Sequence, residues 1–176
     1  AIGFGLAAAG IWLAAWLARE QVFFRSNVSA MNGWFARAER LLAEIGPCPE
    51  QGWLELYRAT MTAPPAALRE IAQQTAARAH THGDADLAAL AIANMGMGAV
   101  AAGDLAAGLT CIDEAMTMAT GGEVQDHFVV CEIFCVTLSA CELAGDWVRT
   151  DQWCALARAY AEQHRSPFLS AYCRTT

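Results

Sequence analysis

A histidine and three cysteines lie close together in the segment HFVVCEIFCVTLSACELAGDW, which covers residues 127–147. His127, Cys131 and Cys135 recur every four residues, so a helix would place them on one face. Imidazole and thiolate groups are zinc ligands, and Cys154 on the next predicted helix is a candidate fourth ligand. The spacing therefore allows a metal- or thiol-responsive site.

The same segment is also typical of a packed helix, and we prefer that interpretation. Structural zinc sites favour close spacings such as C-x2-C, which this segment lacks. Most residues between the cysteines are apolar, and free cysteine packs like a small apolar side chain. We therefore expect no metal and no other cofactor, with the metal- or thiol-responsive module left as the alternative.

Other groupings that could do chemistry match their templates poorly. Gly96-x-Gly98 with Gly103 resembles a phosphate-binding loop, but it follows no predicted strand and lacks the G-x-G-x-x-G spacing. The serines lie near no nucleophile elbow, and no histidine has an evident oriented partner in the sequence. We therefore expect that the protein is not an enzyme.

The amino-acid composition indicates which partners the protein could bind and in which cellular compartment it would fold. The chain has 176 residues, 56% of them hydrophobic, and a net charge of −7 with arginine but no lysine. An acidic chain without a basic cluster is a poor match for nucleic acid, because phosphate contacts need Lys or Arg. The cysteines are odd in number, seven, and most lie within apolar helical patterns, which predicts free thiols in a cytoplasmic protein.

The uncharged first eighteen residues, AIGFGLAAAGIWLAAWLA, are long enough to raise the question of a membrane span. Alanine and glycine make up much of this stretch, and its apolar register continues past Arg19 and Glu20 to Phe24. We therefore expect a buried first helix and no membrane contact.

Apolar residues recur at helical spacing through nearly the whole chain, and no long segment alternates with period two. Short turn signals such as Gly46-Pro47, Gly103-Asp104 and Gly145-Asp146 separate about eight helices. Glycine ends one helix and aspartate caps the next. The best-defined helices are predicted at 85–102, 104–119, 127–144 and 146–163.

The helices repeat in pairs. Similar segments recur with spacings of 37, 40 and 42 residues, starting at residues 34, 71, 111 and 153. Such periods are typical of stacked helical hairpins, and Gly96, Gly108 and Ala115 supply small residues where two helices would cross. We predict an all-α, right-handed stack of antiparallel helical hairpins, a tetratricopeptide-like α-solenoid. It would form one domain over residues 1–176, with four hairpins and the start of a fifth.

Four segments carry a family resemblance, namely NGWFARAERLLAEIGPCPEQGWLEL, DEAMTMATGGEVQDHFVVCEIFC, CELAGDWVRTDQWCALA and HRSPFLSAYCRTT. They resemble the tetratricopeptide-like region of actinobacterial LuxR-type transcriptional regulators, which are related in layout to MalT-like regulators. In that family the helical repeats sense a ligand or partner, and a C-terminal helix-turn-helix domain binds DNA. The resemblance implies a sensor or scaffold module of a transcriptional regulator, with DNA binding assigned to no residue of this chain.

In such a stack, the first helix of each hairpin lines an inner groove. When the repeats are aligned by their turns, nine residues of the first helices are predicted to face this groove. They are Trp16, Glu20, Phe23, Trp53, Tyr57, Met97, Glu132, Ser139 and Glu142. Aromatic rings with a few polar groups suit ligand and peptide sites, and carboxylates beside rings suit a cation. We therefore expect a small aromatic or cationic molecule, or a peptide or protein, as the partner. The alternative is that the rings only fill the interior of the stack.

Overall fold

The described part of the chain contains eight α-helices joined by short turns. This computed structural model describes residues 2–166 and Leu169, with side chains from residue 5 onward. No strand lies within those residues, so the prediction of an all-α protein is confirmed. Most of the segment HRSPFLSAYCRTT, with Cys173 and the predicted start of a fifth hairpin, falls outside the described residues.

The chain divides into two compact units, and unit 1 comprises residues 1–63. Its helices are α1 (Ile2–Arg25), α2 (Val28–Ile45) and α3 (Gln51–Thr62), and all three pack against one another. Asn27 begins α2, because its side chain accepts a hydrogen bond from the Ala30 N–H at 3.0 Å.

The first helix buries one face and leaves another exposed. Its buried apolar residues are small or branched, namely Ala8, Ile11, Ala14, Ala15 and Ala18. Leu6 and Leu13 lie on another face and are 72% and 47% exposed. The expectation of a buried first helix is therefore correct for its alanine-rich face only.

Unit 2 comprises residues 64–176. Its helices are α4 (Pro65–His82), α5 (Ala85–Ala101), α6 (Leu105–Thr120), α7 (His127–Ala144) and α8 (Trp147–His164). Helix α5 is central and packs against α4, α6 and α7, while α8 packs against α7. The four predicted helix ranges are confirmed to within one residue at each end, whereas one domain over the whole chain stays a prediction.

Glycine–aspartate pairs end one helix and begin the next, as the sequence predicts. Gly83 and Gly145 have φ angles of 72° and 69°, in the left-handed region that favours glycine. Asp84 and Asp146 then accept hydrogen bonds from the backbone N–H three residues later, at 2.9 and 3.0 Å. These local signals explain why the helix ends were predictable.

Three helical glycines allow backbones to approach closely in unit 2. A Cβ atom on Gly98 would lie 2.8 Å from both Arg69 N and Pro65 O, where α5 crosses α4. A Cβ atom on Gly96 would lie 2.7 Å from the Gly108 carbonyl oxygen, and one on Gly108 would lie 2.8 Å from the Gly96 carbonyl oxygen. The prediction that Gly96 and Gly108 lie at a tight helix crossing is confirmed.

Helix α7 contains the segment rich in cysteine and histidine, and it is a packed helix. Its buried residues include Cys131, Phe134, Leu138 and Cys141. Within the described residues, α7 is the one helix long and apolar enough to cross a membrane, but 56% of that stretch is buried inside the protein. Packing within unit 2 therefore accounts for its apolar composition.

Candidate functional site

A cavity of about 500 Å³ opens in unit 2, where the C-terminal end of α6, the first residues of α7 and the C-terminal half of α8 meet. Apolar side chains that line it include Val130, Phe134 and Leu156. The polar side chains include His127, Tyr160, His164, Gln125 and Gln163. A volume of this size, with an apolar lining and a few polar groups, is typical of small-molecule sites.

Asp86 of α5 fixes the connection between α6 and α7, which forms one wall of the cavity. Its carboxylate accepts hydrogen bonds from the backbone N–H groups of Gln125 and Asp126, at 2.7 and 3.2 Å. The Asp126 carboxylate in turn caps α7 by accepting the Phe128 N–H at 2.8 Å. These bonds set the start of α7, and with it the position of His127.

Three polar rings of the cavity lining form what we name the ring cluster, defined as His127, Tyr160 and His164. The Nδ1 atom of His127 and the hydroxyl oxygen of Tyr160 are 2.6 Å apart, within hydrogen-bonding distance. The rings of Tyr160 and His164 stack with centroids 4.2 Å apart and planes inclined by 28°. The His127 and His164 centroids are 4.4 Å apart, and Phe134 supports Tyr160 from 5.7 Å.

Burial keeps the phenol of Tyr160 protonated. It raises the pKa of Tyr160 to about 12, and the nearby Cys131 thiol and Asp126 carboxylate act in the same direction. The described lining residues include no carboxylate, thiol or guanidinium. These described residues therefore offer hydrogen bonds and ring faces to a ligand.

The folded protein is expected to lose stability as the pH rises from about 9 to about 12. Burial raises the pKa of the Cys141 thiol from 9.0 to about 11, and that of Tyr160 from 10.0 to about 12. Folding thus favours both protonated groups, so their stabilisation is complete below the ordinary pKa and is lost as the pH rises through the raised one. Because the chain has no lysine, cysteine and tyrosine side chains dominate the titration in this range. Burial also raises the thiol pKa of Cys48 and of Cys111, so variants are needed to assign the loss. Urea unfolding at stepped pH values measures the loss.

Two variants separate these contributions. Tyr160→Phe is expected to remove the tyrosine's part of the loss, between about pH 10 and pH 12, and to keep the part that Cys141 causes between about pH 9 and pH 11. Cys141→Ala is expected to remove the part of the loss between about pH 9 and pH 11, and to keep the part that Tyr160 causes. An alkaline stability profile that is the same in wild type and Tyr160→Phe would show that burial does not protect the phenol.

The described cysteines are not grouped as the metal-responsive alternative requires. No group of three or more His, Cys, Asp or Glu side chains in the described part of the chain is placed to hold a metal ion. Cys131 and Cys154 are buried and Cys135 is half-buried, while His127 pairs with Tyr160. The set His127, Cys131, Cys135 and Cys154 is therefore not assembled, because the helix turns its cysteines into the packed interior.

The aromatic members of the predicted groove that lie in unit 1 are partly enclosed. Trp53 and Tyr57 are only 6% and 3% exposed, and their ring centroids are 5.7 Å apart. Trp16 is half-buried and stacks on Trp12 with centroids 6.4 Å apart, whereas Phe23 is 55% exposed. Interior packing thus accounts for Trp53 and Tyr57, and their role in ligand binding stays a prediction.

An arginine of the chain itself occupies the place where the sequence predicts an external cation. The guanidinium of Arg19 lies 4.7 Å from the ring centroid of Phe23 and 5.9 Å from that of Tyr57. It also pairs with Glu20, at 2.6 Å between Nη1 and Oε1. The rings and the carboxylate of unit 1 therefore already have a cationic partner, and Arg19 is only 8% exposed.

The remaining predicted groove residues lie in unit 2. Met97 packs against a buried core cluster that includes Val100 and Ile112. Glu132, Ser139 and Glu142 are half-buried on α7, and none of the three lines the cavity described above. The structure therefore brings Glu20, Phe23 and Tyr57 together around Arg19, with Trp53 beside Tyr57. It places the unit 2 residues outside the cavity lining.

Sequence reasoning missed two members of the ring cluster, although His127 was singled out as a possible ligand. The sequence shows no evident partner for any histidine, and in the structure His127 pairs with Tyr160 across 33 positions of the chain. Tyr160 and His164 are four residues apart on α8, so helical spacing could have placed them on one face. No local signal connects that face with the start of α7.

Comparison of the chain with protein-family models, with curated proteins and with solved structures gives no match. The function proposed below therefore rests on the residues of this chain and on the sequence resemblance described above.

Proposed function

We propose that this protein is a non-catalytic binding module built from helical hairpins, and that it holds a small molecule in the cavity of unit 2. The observation that carries the proposal is the cavity itself, about 500 Å³ in volume and lined by the ring cluster beside apolar side chains. Concave sites of this kind are the usual place for small ligands.

Binding is proposed rather than catalysis because of the groups that line the cavity. His127 and His164 line the cavity and are potential bases. A covalent mechanism also needs an activated nucleophile beside the base. The described lining has no thiol and no carboxylate, and the pKa of the Tyr160 phenol is raised to about 12. The one threonine hydroxyl, of Thr120, donates to the Met116 carbonyl oxygen at 2.7 Å.

The finer architecture that we propose is a right-handed, tetratricopeptide-like stack of hairpins. Within unit 2, α5 packs both on its hairpin partner α6 and on α7, the first helix of the next hairpin. The close crossing of Gly96 and Gly108 agrees with the small residues that such repeats place between paired helices. Both features support stacked hairpins, in which each pair covers the apolar face of its neighbour.

The biological setting that we propose is the sensor or scaffold part of a transcriptional regulator in the cytoplasm. Its support is the sequence resemblance to the tetratricopeptide-like region of LuxR-type regulators. The net charge of −7 also argues against nucleic acid as the direct partner of these residues. No contact in the described residues favours the metal-responsive alternative.

The proposal is tested by filling the cavity with a side chain. Ala159 is exposed on α8 and lines the cavity, so Ala159→Trp should occupy the space without disturbing the core. Ala155 is exposed on the same helix and does not line the cavity, so Ala155→Trp is the matched control. The measurement is a melting-temperature screen of all three proteins against a library of small molecules.

Compounds that raise the melting temperature of the wild type should also stabilise Ala155→Trp and should leave Ala159→Trp unchanged, because ligands stabilise only the state that binds them. The proposal is wrong if no compound stabilises the wild type, or if the stabilising compounds act equally on Ala159→Trp.

A further inference from the structure

We infer that the cavity of unit 2 takes an uncharged, planar aromatic molecule that carries a hydrogen-bond acceptor such as a carbonyl oxygen. This inference rests on the proposed function, since it names the class of ligand for the same cavity. It follows from three properties of the described lining, namely that it contains no Asp, Glu, Lys or Arg, that it has flat rings, and that it has a spare hydrogen-bond donor.

The described lining offers an ionised ligand no Asp, Glu, Lys or Arg as a partner of opposite charge. Moving an ionised group out of water without a partner of opposite charge is costly. An uncharged molecule enters the same space without that cost.

The flat rings favour a planar ligand. Tyr160 and His164 stack with planes inclined by only 28°, and His127 adds a third ring 4.4 Å from His164. Planar rings pack on such a wall in offset-stacked or edge-to-face arrangements. The apolar side chains of Val130 and Leu156 line the same cavity and suit the remaining faces of a hydrocarbon ring.

Counting hydrogens at the His127–Tyr160 pair gives a spare donor. The pair has the phenol O–H and at least one imidazole N–H, and the 2.6 Å contact between Nδ1 and the hydroxyl uses one of these hydrogens. If the phenol donates to Nδ1, the Nε2–H of the imidazole is left over; if Nδ1–H donates, the phenol O–H is left over. In both arrangements at least one donor remains, and a ligand carbonyl oxygen would satisfy it.

The test uses four small probes of nearly the same size. Benzamide is uncharged and planar with a carbonyl acceptor, benzoate is its anionic analogue, benzamidine its cationic analogue and cyclohexanecarboxamide its non-planar analogue. Their affinities for the wild-type protein are measured from the ring signals of the four histidines in nuclear magnetic resonance titrations. His80 and His82 lie at the end of α4 and do not line the cavity, so their signals are internal references.

Benzamide is expected to shift the signals of His127 and His164 but not those of His80 and His82. Benzamide should bind about two- to tenfold more tightly than cyclohexanecarboxamide, because only the planar ring stacks. It should bind at least about tenfold more tightly than benzoate or benzamidine, because a charged probe loses its hydration without gaining a charged partner. Tyr160→Phe should weaken benzamide about two- to tenfold through the lost hydroxyl. Thr81→Val on α4 also removes one hydroxyl, at an exposed residue outside the cavity lining, so it is the matched control and should leave the affinity unchanged.

The possible failures are distinguishable. Tighter binding of benzoate or benzamidine than of benzamide would contradict the inference that the ligand is uncharged, although the cavity would remain a binding site. Equal affinities for cyclohexanecarboxamide and benzamide would contradict the inference that the ligand is planar. A third outcome is that none of the four probes moves the His127 and His164 signals, whereas compounds from the melting-temperature screen move them and do not stabilise Ala159→Trp. In that case the inferred ligand class is wrong and the proposed function stands. If neither set acts at the cavity, both are wrong.

Discussion

Replacing Trp53 with alanine is expected to lower the free energy of unfolding of unit 1 by about 3–5 kcal/mol. The ring is only 6% exposed and packs on Tyr57, which is itself 3% exposed. Removing a buried indole therefore loses its apolar contacts and leaves a cavity among the side chains of α3 and its neighbours. Urea unfolding followed by far-ultraviolet circular dichroism measures the change.

The matched control is the same substitution at Trp147, which is 65% exposed at the start of α8. Surface substitutions usually change stability by less than about 0.5 kcal/mol, so Trp147→Ala should unfold like the wild type. Equal stability of Trp53→Ala and the wild type would mean that the ring does not support the interior, and would favour the predicted open groove at Trp53 and Tyr57.

Replacing Gly108 with leucine is expected to lower the free energy of unfolding of unit 2 by about 1–3 kcal/mol. A Cβ atom there would lie 2.6 Å from Val100 Cγ2 and 2.8 Å from the backbone atoms Gly96 O and Val100 N. The side chain of Val100 can rotate, but the backbone of α5 can yield only if the two helices separate. The same urea titration detects the loss.

Ala106→Leu is the control for this substitution. Ala106 is exposed two residues earlier on α6, where a leucine points into solvent and keeps a good helix former in place. We expect Ala106→Leu to be as stable as the wild type. A Gly108→Leu protein with unchanged stability would mean that α5 and α6 do not cross at Gly96 and Gly108.

Local chemistry made the helices of this protein predictable from sequence. A left-handed glycine and a capping aspartate act within a few residues, so pairs such as Gly83-Asp84 and Gly145-Asp146 placed the helix ends to within one residue. The tight crossing at Gly96 and Gly108 was also predictable, because small residues at matching places in the two helices of a hairpin let the backbones approach closely.

Features that depend on contacts between distant residues were not predictable. His127 and Tyr160 are 33 positions apart, and their contact depends on how the ends of α7 and α8 pack. The turn at Ala63 and Pro64 looks like every other helix break, yet it separates the two compact units. Arg19 was missed because helical periodicity places apolar residues inside, and it does not reveal a buried cation beside Phe23 and Tyr57.

The buried Arg19 also changes what the rings of unit 1 are expected to bind. A cationic ligand would have to displace the guanidinium from Phe23 and break its pair with Glu20. The cavity of unit 2 has no such competing group in its described lining. For this reason we propose small-molecule binding at the ring cluster, and leave the predicted groove as a separate surface for a peptide or protein.

The most direct measurement of whether the cavity is a binding site is a crystal structure of the protein with 4-iodobenzamide, in which anomalous scattering locates the iodine. We predict an iodine peak inside the cavity, with the probe ring against Tyr160 or His164 and its carbonyl oxygen within hydrogen-bonding distance of Tyr160 or His127. A saturated crystal with iodine peaks only elsewhere, or with none, would contradict this prediction.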